Sequence, residues 1–301
     1  MSVKLFKEDC ITGIKNHIEN ESVDLIISDP PYFKVIDEKW DYIWRTELDY
    51  LEWSEKWISE VNRVLRKCGT MYLFGYFRML CKLLPILERF GFELRQQIII
   101  DKGIKSVSGR ATKNYKMFPN VTESILFLIK DSKQFVKEFL KQRQKEIGLS
   151  AKEINEKLGV KSNGGGMWSI YTGDNVCKQI PTEELWNKLQ EILQFNMQYK
   201  KISQTYNAQL GITDVWRDIN FYEEKRYHPT QKPQKLIDRL ILASSNKGDL
   251  ILDPFSGSGL TMLSAYRNER GFIGFELDED YFNLSNDRLN EYIIEQKNKL
   301  F

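Results

Sequence analysis

Val23-Asp24-Leu25-Ile26-Ile27-Ser28-Asp29-Pro30-Pro31-Tyr32 carries an almost unbroken apolar run straight into two consecutive prolines. A short apolar run bounded by breakers reads as a buried strand of a parallel sheet. The prolines fix the backbone and remove two N–H donors, leaving carbonyls as acceptors. With the Asp29 carboxylate beside them they form an all-acceptor corner, and the Tyr32 ring adds a flat stacking surface. Such a corner suits a planar group bearing an NH₂, for instance a base turned out of a duplex. A plain Pro-Pro turn after a strand satisfies the same four residues.

Outward from that strand, helical and strand patterns alternate, as in α/β proteins. Thr46 to Arg66 has one apolar face (Leu48, Leu51, Trp57, Ile58, Val61, Val64, Leu65), Gly69 is expected to stop this helix, and Thr70–Phe74 is expected as a strand. A helix over Met79–Phe90 and strands at Leu94–Ile100 and Ser124–Lys130 complete the first part. The last 75 or so residues repeat the style, with a helix over Gln234–Ser245, a strand at Leu250–Leu252, a strand at Gly271–Phe275 and a closing helix.

A second strand end is unusual. Leu250-Ile251-Leu252-Asp253 runs into Pro254-Phe255-Ser256-Gly257-Ser258-Gly259, whose glycines let the backbone approach a ligand closely. No Gly-Lys-Ser/Thr follows, so it is not a phosphate loop, and Met262 stands where a dinucleotide fingerprint needs its third glycine. Glu276, after the next strand, is placed to accept the hydroxyls of a ribose. A glycine turn with a ribose acid but no pyrophosphate cradle fits a nucleoside such as S-adenosylmethionine; a ligand-free structural turn fits the turn alone equally well.

Taken together, Asp29-Pro30-Pro31-Tyr32, Phe255-Ser256-Gly257-Ser258-Gly259 and Tyr227-His228-Pro229-Thr230-Gln231-Lys232-Pro233 resemble the hallmarks of the amino-group DNA methyltransferases, which act on adenine N6 or cytosine N4. Their order, catalytic motif before cofactor motif, resembles the β subgroup. The resemblance implies an α/β, permuted class I methyltransferase (Rossmann-like) sheet interrupted by a mainly helical target-recognition domain. Its parts fall at 1–130 (core, first part), 131–224 (helical insertion) and 225–301 (core, cofactor part). It implies Asp29, Pro30, Pro31 and Tyr32 as catalytic residues. Asp9, Cys10, Asp29, His228, Thr230, Lys232, Asp253, Phe255, Gly257, Ser258, Gly259 and Glu276 are implied around S-adenosylmethionine, with no metal. Asp9 serves equally as a helix N-cap, His228 as a residue ordering its segment, and Lys232, implied near the methionine carboxylate, as a surface lysine.

In the insertion, Phe135, Val136, Phe139, Leu140 and Ile147 mark an amphipathic helix. Ser150-Ala151-Lys152-Glu153 is a capping box that opens a helix ending at Gly159. A further helix holds Trp186, Leu189, Ile192 and Leu193. The Leu-Gly-Val turn at 158–160 resembles a phage-repressor helix-turn-helix, with Ser162–Thr172 containing the helix that enters the major groove. Lys161, Ser162, Asn163 and Ser169 are then candidate DNA contacts, and three successive glycines at 164–166 depart from the pattern. A generic helical insertion is the plainer alternative.

Composition sets bounds on this. The chain has 301 residues, 42% hydrophobic and 29% charged, enough for about two domains with real cores. A net charge of +2 gives no global signature of nucleic-acid binding. Between residues 101 and 120, however, Lys102, Lys105, Arg110, Lys113 and Lys116 face only Asp101, which points to phosphate contacts or to a solvated loop. No apolar stretch spans a membrane, and no signal-like leader opens the sequence. The four cysteines read as reduced, buried thiols of a cytoplasmic protein. Double-stranded DNA is the expected partner and adenine N6 the expected target, since an aspartate opens the catalytic tetrapeptide. Cytosine N4 and a DNA-binding regulator with a vestigial core are the alternatives. A homodimer and a cognate restriction endonuclease are further partners that the resemblance leaves open.

Overall fold

The computed structural model describes residues 2–33, 43–107, 116, 118–159, 166–173, 179–223 and 231–299. The chain divides into two compact units, one of Met1–Lys130 with Thr205–Phe301 and one of Asp131–Gln204.

In the first unit, eight described strands form one sheet in the order β1-β8-β7-β2-β3-β5-β4-β6. They are β1 (Val3–Phe6), β2 (Val23–Ser28), β3 (Leu65–Gly75), β4 (Phe92–Asp101), β5 (Thr122–Lys130), β6 (Val215–Trp216), β7 (Leu250–Asp253) and β8 (Gly271–Phe275). Successive residues of β2 divide the core between its faces. Ile26 packs with α1 (Cys10–His17), α2 (Glu47–Val64) and α3 (Phe77–Arg89), while Leu25 and Ile27 pack with α8 (Gln234–Ser244) and α9 (Leu260–Arg267). Burial of each such side chain contributes about 1.5–3 kcal/mol. Asp24 ties neighbouring strands together, accepting from the Leu250 amide at 3.0 Å and pairing with Arg66 at 2.9 Å.

Four expectations need correction. The sheet is not all parallel, because β5 runs antiparallel to both β3 and β4. The helix before β3 ends at Val64, so Gly69 lies within β3 rather than stopping the helix. Val23 pairs with Leu65 but Leu25 with Thr70, a bulge that Cys68 accommodates at φ 55°. The sheet unit also extends into the segment expected to be insertion. Residues 205–223 belong to it because Val215 and Trp216 pair with Ile99 and Ile100. Cys10 and Cys68 are buried as expected, but Cys81 on α3 is exposed; Cys177 lies outside the described residues.

The second unit contains α4 (Lys133–Ile147), α5 (Ala151–Leu158), α6 (Gly166–Thr172) and α7 (Glu183–Leu193). Val136, Leu140, Ile154, Trp168, Trp186 and Leu189 form its core. The Ser150–Glu153 capping box is present, and Gly159 closes α5 in the left-handed conformation. Among the described residues, no helix is long and apolar enough to cross a membrane.

Candidate active site

Residues bind ligands at the carboxyl edge of a parallel sheet because successive loops leave it there. At this edge β2 and β7 are neighbours, so the two unusual strand ends meet. A cavity of about 690 Å³ is lined by Asp29, Pro30, Pro31 and Tyr32 from the first, and by Asp253 to Ser258 from the second. Glu276 and Asp278 after β8, Asp9 and Cys10 at the start of α1, and Gln231 and Lys232 before α8 complete its polar lining. Trp44, Trp53 and Phe255 contribute aromatic wall, the rings of Trp53 and Phe255 lying 5.7 Å apart.

The glycine turn is held from three sides. Gly257 (φ +50°) donates to Glu276 Oε2 at 2.7 Å, and a Cβ there would meet nothing within 4 Å, which leaves an open cradle. The Ser285 hydroxyl donates to the Gly257 carbonyl at 2.8 Å and Arg288 to the Ser258 carbonyl at 2.5 Å. Both come from α10 (Glu279–Asn298). Glu276 Oε1 accepts the Asp278 amide at 2.8 Å, leaving lone pairs on both oxygens. Burial raises the Glu276 carboxyl despite these amides. Burial likewise pushes Asp253 up to about 7, against the Thr261 hydroxyl and the Phe255 amide, which favour its ionised form.

Asp29 sits in a network the sequence did not reveal. Its Oδ1 accepts from the Tyr32 hydroxyl at 2.8 Å, and its Oδ2 lies 2.6 Å from the Lys232 ammonium. Lys232 also pairs with Glu123 at 2.9 Å. Burial opposes charge on Lys232, but Asp29 and Glu123 outweigh it and hold the ammonium well above its usual range. Burial also works to raise Glu123, yet Lys232 and Lys102 prevail and lower it. The Tyr32 hydroxyl is raised, by burial first and by Asp29 second.

The expected residues fall as follows. Asp9 is the N-cap of α1, its Oδ1 accepting from Ile11 and Thr12, and it also lines the cavity, so its two readings coexist. Cys10 lines the cavity with its thiol raised by burial. Lys232, implied near a methionine carboxylate, directs its ammonium to Asp29 and Glu123. Of the basic loop, Lys102 pairs with Glu123 at 3.7 Å, while Lys105 and Lys116 are exposed. The Ser169 hydroxyl, a candidate base contact, donates to its own helix at Gly166 O, 2.9 Å away. Arg110, Lys113, Lys161, Ser162, Asn163, His228 and Thr230 lie outside the described residues.

Glu123, Gln231, Thr261 and Asp278 were not anticipated. Glu123 was signalled only by a charge at the mouth of an apolar strand. It reaches Lys232 because β5 is antiparallel, which brings the start of that strand to the carboxyl edge, where Ser124 pairs with Gly75.

The sequence model of a family described as DNA methylase matches residues 23–287. The chain is 28% identical over 291 residues to the DNA adenine methyltransferase YhdJ of Escherichia coli (strain K12), covering 94% of this chain and 81% of that protein. It is 26% identical over 298 residues to the type II methyltransferase M.HpaI of Haemophilus parainfluenzae, covering 96% of this chain and 75% of that protein. Among solved structures, the M1.HpyAVI–SAM complex shares the fold with a TM-score of 0.55 at 22% identity, over 95% of this chain and 100% of that one.

Proposed function

We propose that this chain, which belongs to the DNA methylase family, transfers the methyl group of S-adenosylmethionine to the N6 amine of an adenine turned out of DNA. The observation that carries this reading is the single cavity in which the Asp29-Pro30-Pro31-Tyr32 strand end meets the glycine turn and Glu276. The relative named as an adenine methyltransferase supports the choice of adenine.

The residues present fit the cofactor. The open cradle at Gly257 admits a ligand against the backbone, Glu276 and Asp278 suit ribose hydroxyls, and Phe255 and Trp53 suit an apolar ring face. When bound, S-adenosylmethionine supplies a methyl group on a positively charged sulfur, an already activated leaving group. The work left to the protein concerns the amine, whose lone pair is delocalised into the adenine ring. Asp29 and the Pro30 carbonyl accept its two hydrogens, which draws the nitrogen toward tetrahedral geometry and localises that lone pair. Tyr32 stacks on the base. The rigid prolines preorganise these acceptors for the charge that develops on nitrogen.

Base reading belongs, in this proposal, to the inserted helical unit, supported by the capped α5, its left-handed Gly159 and the following α6. Lys161, Ser162, Asn163 and Ser169 are the contacts proposed there, and Lys102, Lys105, Arg110, Lys113 and Lys116 are proposed for phosphates. A cytoplasmic setting and a cognate restriction endonuclease accompany the reading, the latter by likeness to a type II methyltransferase. A homodimer is tested by sedimentation. The deciding experiment is transfer of radiolabelled methyl to unmethylated plasmid DNA, followed by modified-base sequencing. N6-methyladenine at a defined motif is expected. N4-methylcytosine would reassign the target base, and DNA binding without transfer would make the chain a regulator.

A further inference from the structure

Glu123 is not among the residues lining the cavity, although only one ammonium separates it from Asp29. The Lys232 side chain, 7% exposed, lies between the Asp29 carboxylate at 2.6 Å and the Glu123 carboxylate at 2.9 Å. Glu123 is itself 12% exposed, and its second oxygen lies 3.7 Å from the Lys102 ammonium. Charges therefore alternate along Asp29, Lys232, Glu123 and Lys102.

The order of these charges matters for the amine. Forming the nitrogen–methyl bond as the methyl–sulfur bond breaks moves positive charge from sulfur to a nitrogen that Asp29 is to receive. One of that nitrogen's two protons is afterwards released to water. A lone ammonium so close to Asp29 would cancel most of the attraction that carboxylate exerts, since interior charges a few ångströms apart interact strongly. Glu123 neutralises that ammonium in turn, so the trio of Asp29, Lys232 and Glu123 carries one net negative charge. The more exposed Lys102 ammonium lies beyond Glu123, one pair further from Asp29. Glu123 also takes one of the three N–H donors of Lys232, which limits the claim of Lys232 on Asp29 oxygens needed by the amine hydrogens. The lowered Glu123 carboxyl and raised Lys232 ammonium agree with a charged pair at that contact.

We propose that Glu123 is a positioning residue of the methyl transfer: it holds and offsets the Lys232 ammonium, so that Asp29 keeps an acceptor lone pair and more of its negative charge available to the target amine. The proposal rests on the reading of Asp29 as the acceptor of that amine.

The test is steady-state kinetics with labelled S-adenosylmethionine and unmethylated plasmid DNA for the parent protein, Glu123→Gln, Glu123→Asp and the double variant Glu123→Gln/Lys232→Met, each substrate being varied with the other held saturating. Glu123→Gln should lower kcat by about 10- to 100-fold, less than the roughly 100- to 1000-fold of losing a preorganised contact to the reacting atoms, because Glu123 acts through Lys232. KM for both substrates should stay within about threefold, because the interaction acts on the transition state. Glu123→Asp should recover part of the loss. The double variant, which restores the parent's charge balance by removing both partners, should turn over faster than Glu123→Gln. A parent-like kcat for Glu123→Gln overturns the proposal, as does a double variant no faster than the single one. If Glu123→Gln folds poorly, the double variant is compared with Asp29→Ala; equal kcat values then overturn the proposal and a faster double variant supports it. Absence of transfer by the parent protein overturns the functional reading itself, and this proposal falls with it.

Discussion

The amide of Gly257 donates to the Glu276 carboxylate across 2.7 Å, so the acid after β8 fixes the shape of the turn after β7. One residue thus both lines the cavity and anchors its cradle. Glu276→Ala should weaken S-adenosylmethionine binding by about 1.5–3 kcal/mol, the usual worth of hydrogen bonds to a charged group. Glu276→Gln, which keeps one acceptor oxygen, should lose less. Calorimetry measures both, and unchanged affinity for the alanine variant removes Glu276 from the site.

Gly259 adopts φ +72°, and a Cβ there would come within 2.6 Å of the Ser285 Cβ. Gly259→Ala therefore meets both a left-handed backbone and a packed helix. A loss of about 1–3 kcal/mol in stability is expected from the strain alone. Thermal unfolding with and without cofactor separates this from binding, and a variant as stable as the parent shows that the turn can relax.

Asp29→Ala should abolish methyl transfer while leaving most cofactor affinity. The fold should survive, since Lys232 keeps its 2.9 Å partner Glu123. Tyr32→Ala should slow the reaction through lost stacking, worth about 1–3 kcal/mol per base. Ordinary turnover by the Asp29 variant would remove it from the chemistry.

Asp253 predicts a pH dependence of stability. Its folded-state carboxyl is raised to about 7, by burial first, from the ordinary 3.8. Between these values the folded chain binds a proton that the unfolded chain has released, so this group makes stability fall as pH rises toward 7. Its stabilising contribution is complete below the unfolded value and lost above the folded one. Asp253→Asn, which can still accept from the Phe255 amide, should remove this slope and gain stability at pH 8 relative to the parent. Urea titrations at pH 5 and pH 8 check it; a parent protein whose slope the substitution leaves untouched contradicts the assignment.

Lys105 and Lys116 are exposed on the segment after β4. If they meet phosphates, Lys105→Ala/Lys116→Ala should weaken binding on all DNA sequences alike and lower the slope of log affinity against log salt by about 2. Loss confined to one sequence would instead make them base readers.

The strands bearing the motifs were readable because each is an apolar run cut off by Pro or Gly, and the helices because their periodicity and caps are local. What escaped was non-local. A buried antiparallel strand and a buried parallel one carry the same apolar signature, so the direction of β5, and with it the place of Glu123, was invisible. The two-residue β6 is too short for any pattern, and residues 205–223 were therefore assigned to the insertion. Val3–Phe6 alternates with lysine and earns its place in the sheet only by pairing with Phe272–Phe275. The Cys68 bulge likewise follows from register, not propensity.

The position of β2 between β3 and β7 has a consequence for how the chain matures. As synthesis proceeds from the N-terminus, β2 can pair with β3 early, but its other edge waits until residues 250–253 emerge. Pairings so distant in sequence form slowly, and an apolar strand edge left open meanwhile invites association with other chains. The Asp29-Pro30-Pro31-Tyr32 tetrapeptide is thus made long before the strands that complete the cavity it lines. A nascent chain holding Asp29 still lacks the glycine turn and Glu276, and the cavity they share exists only once the last strands have closed.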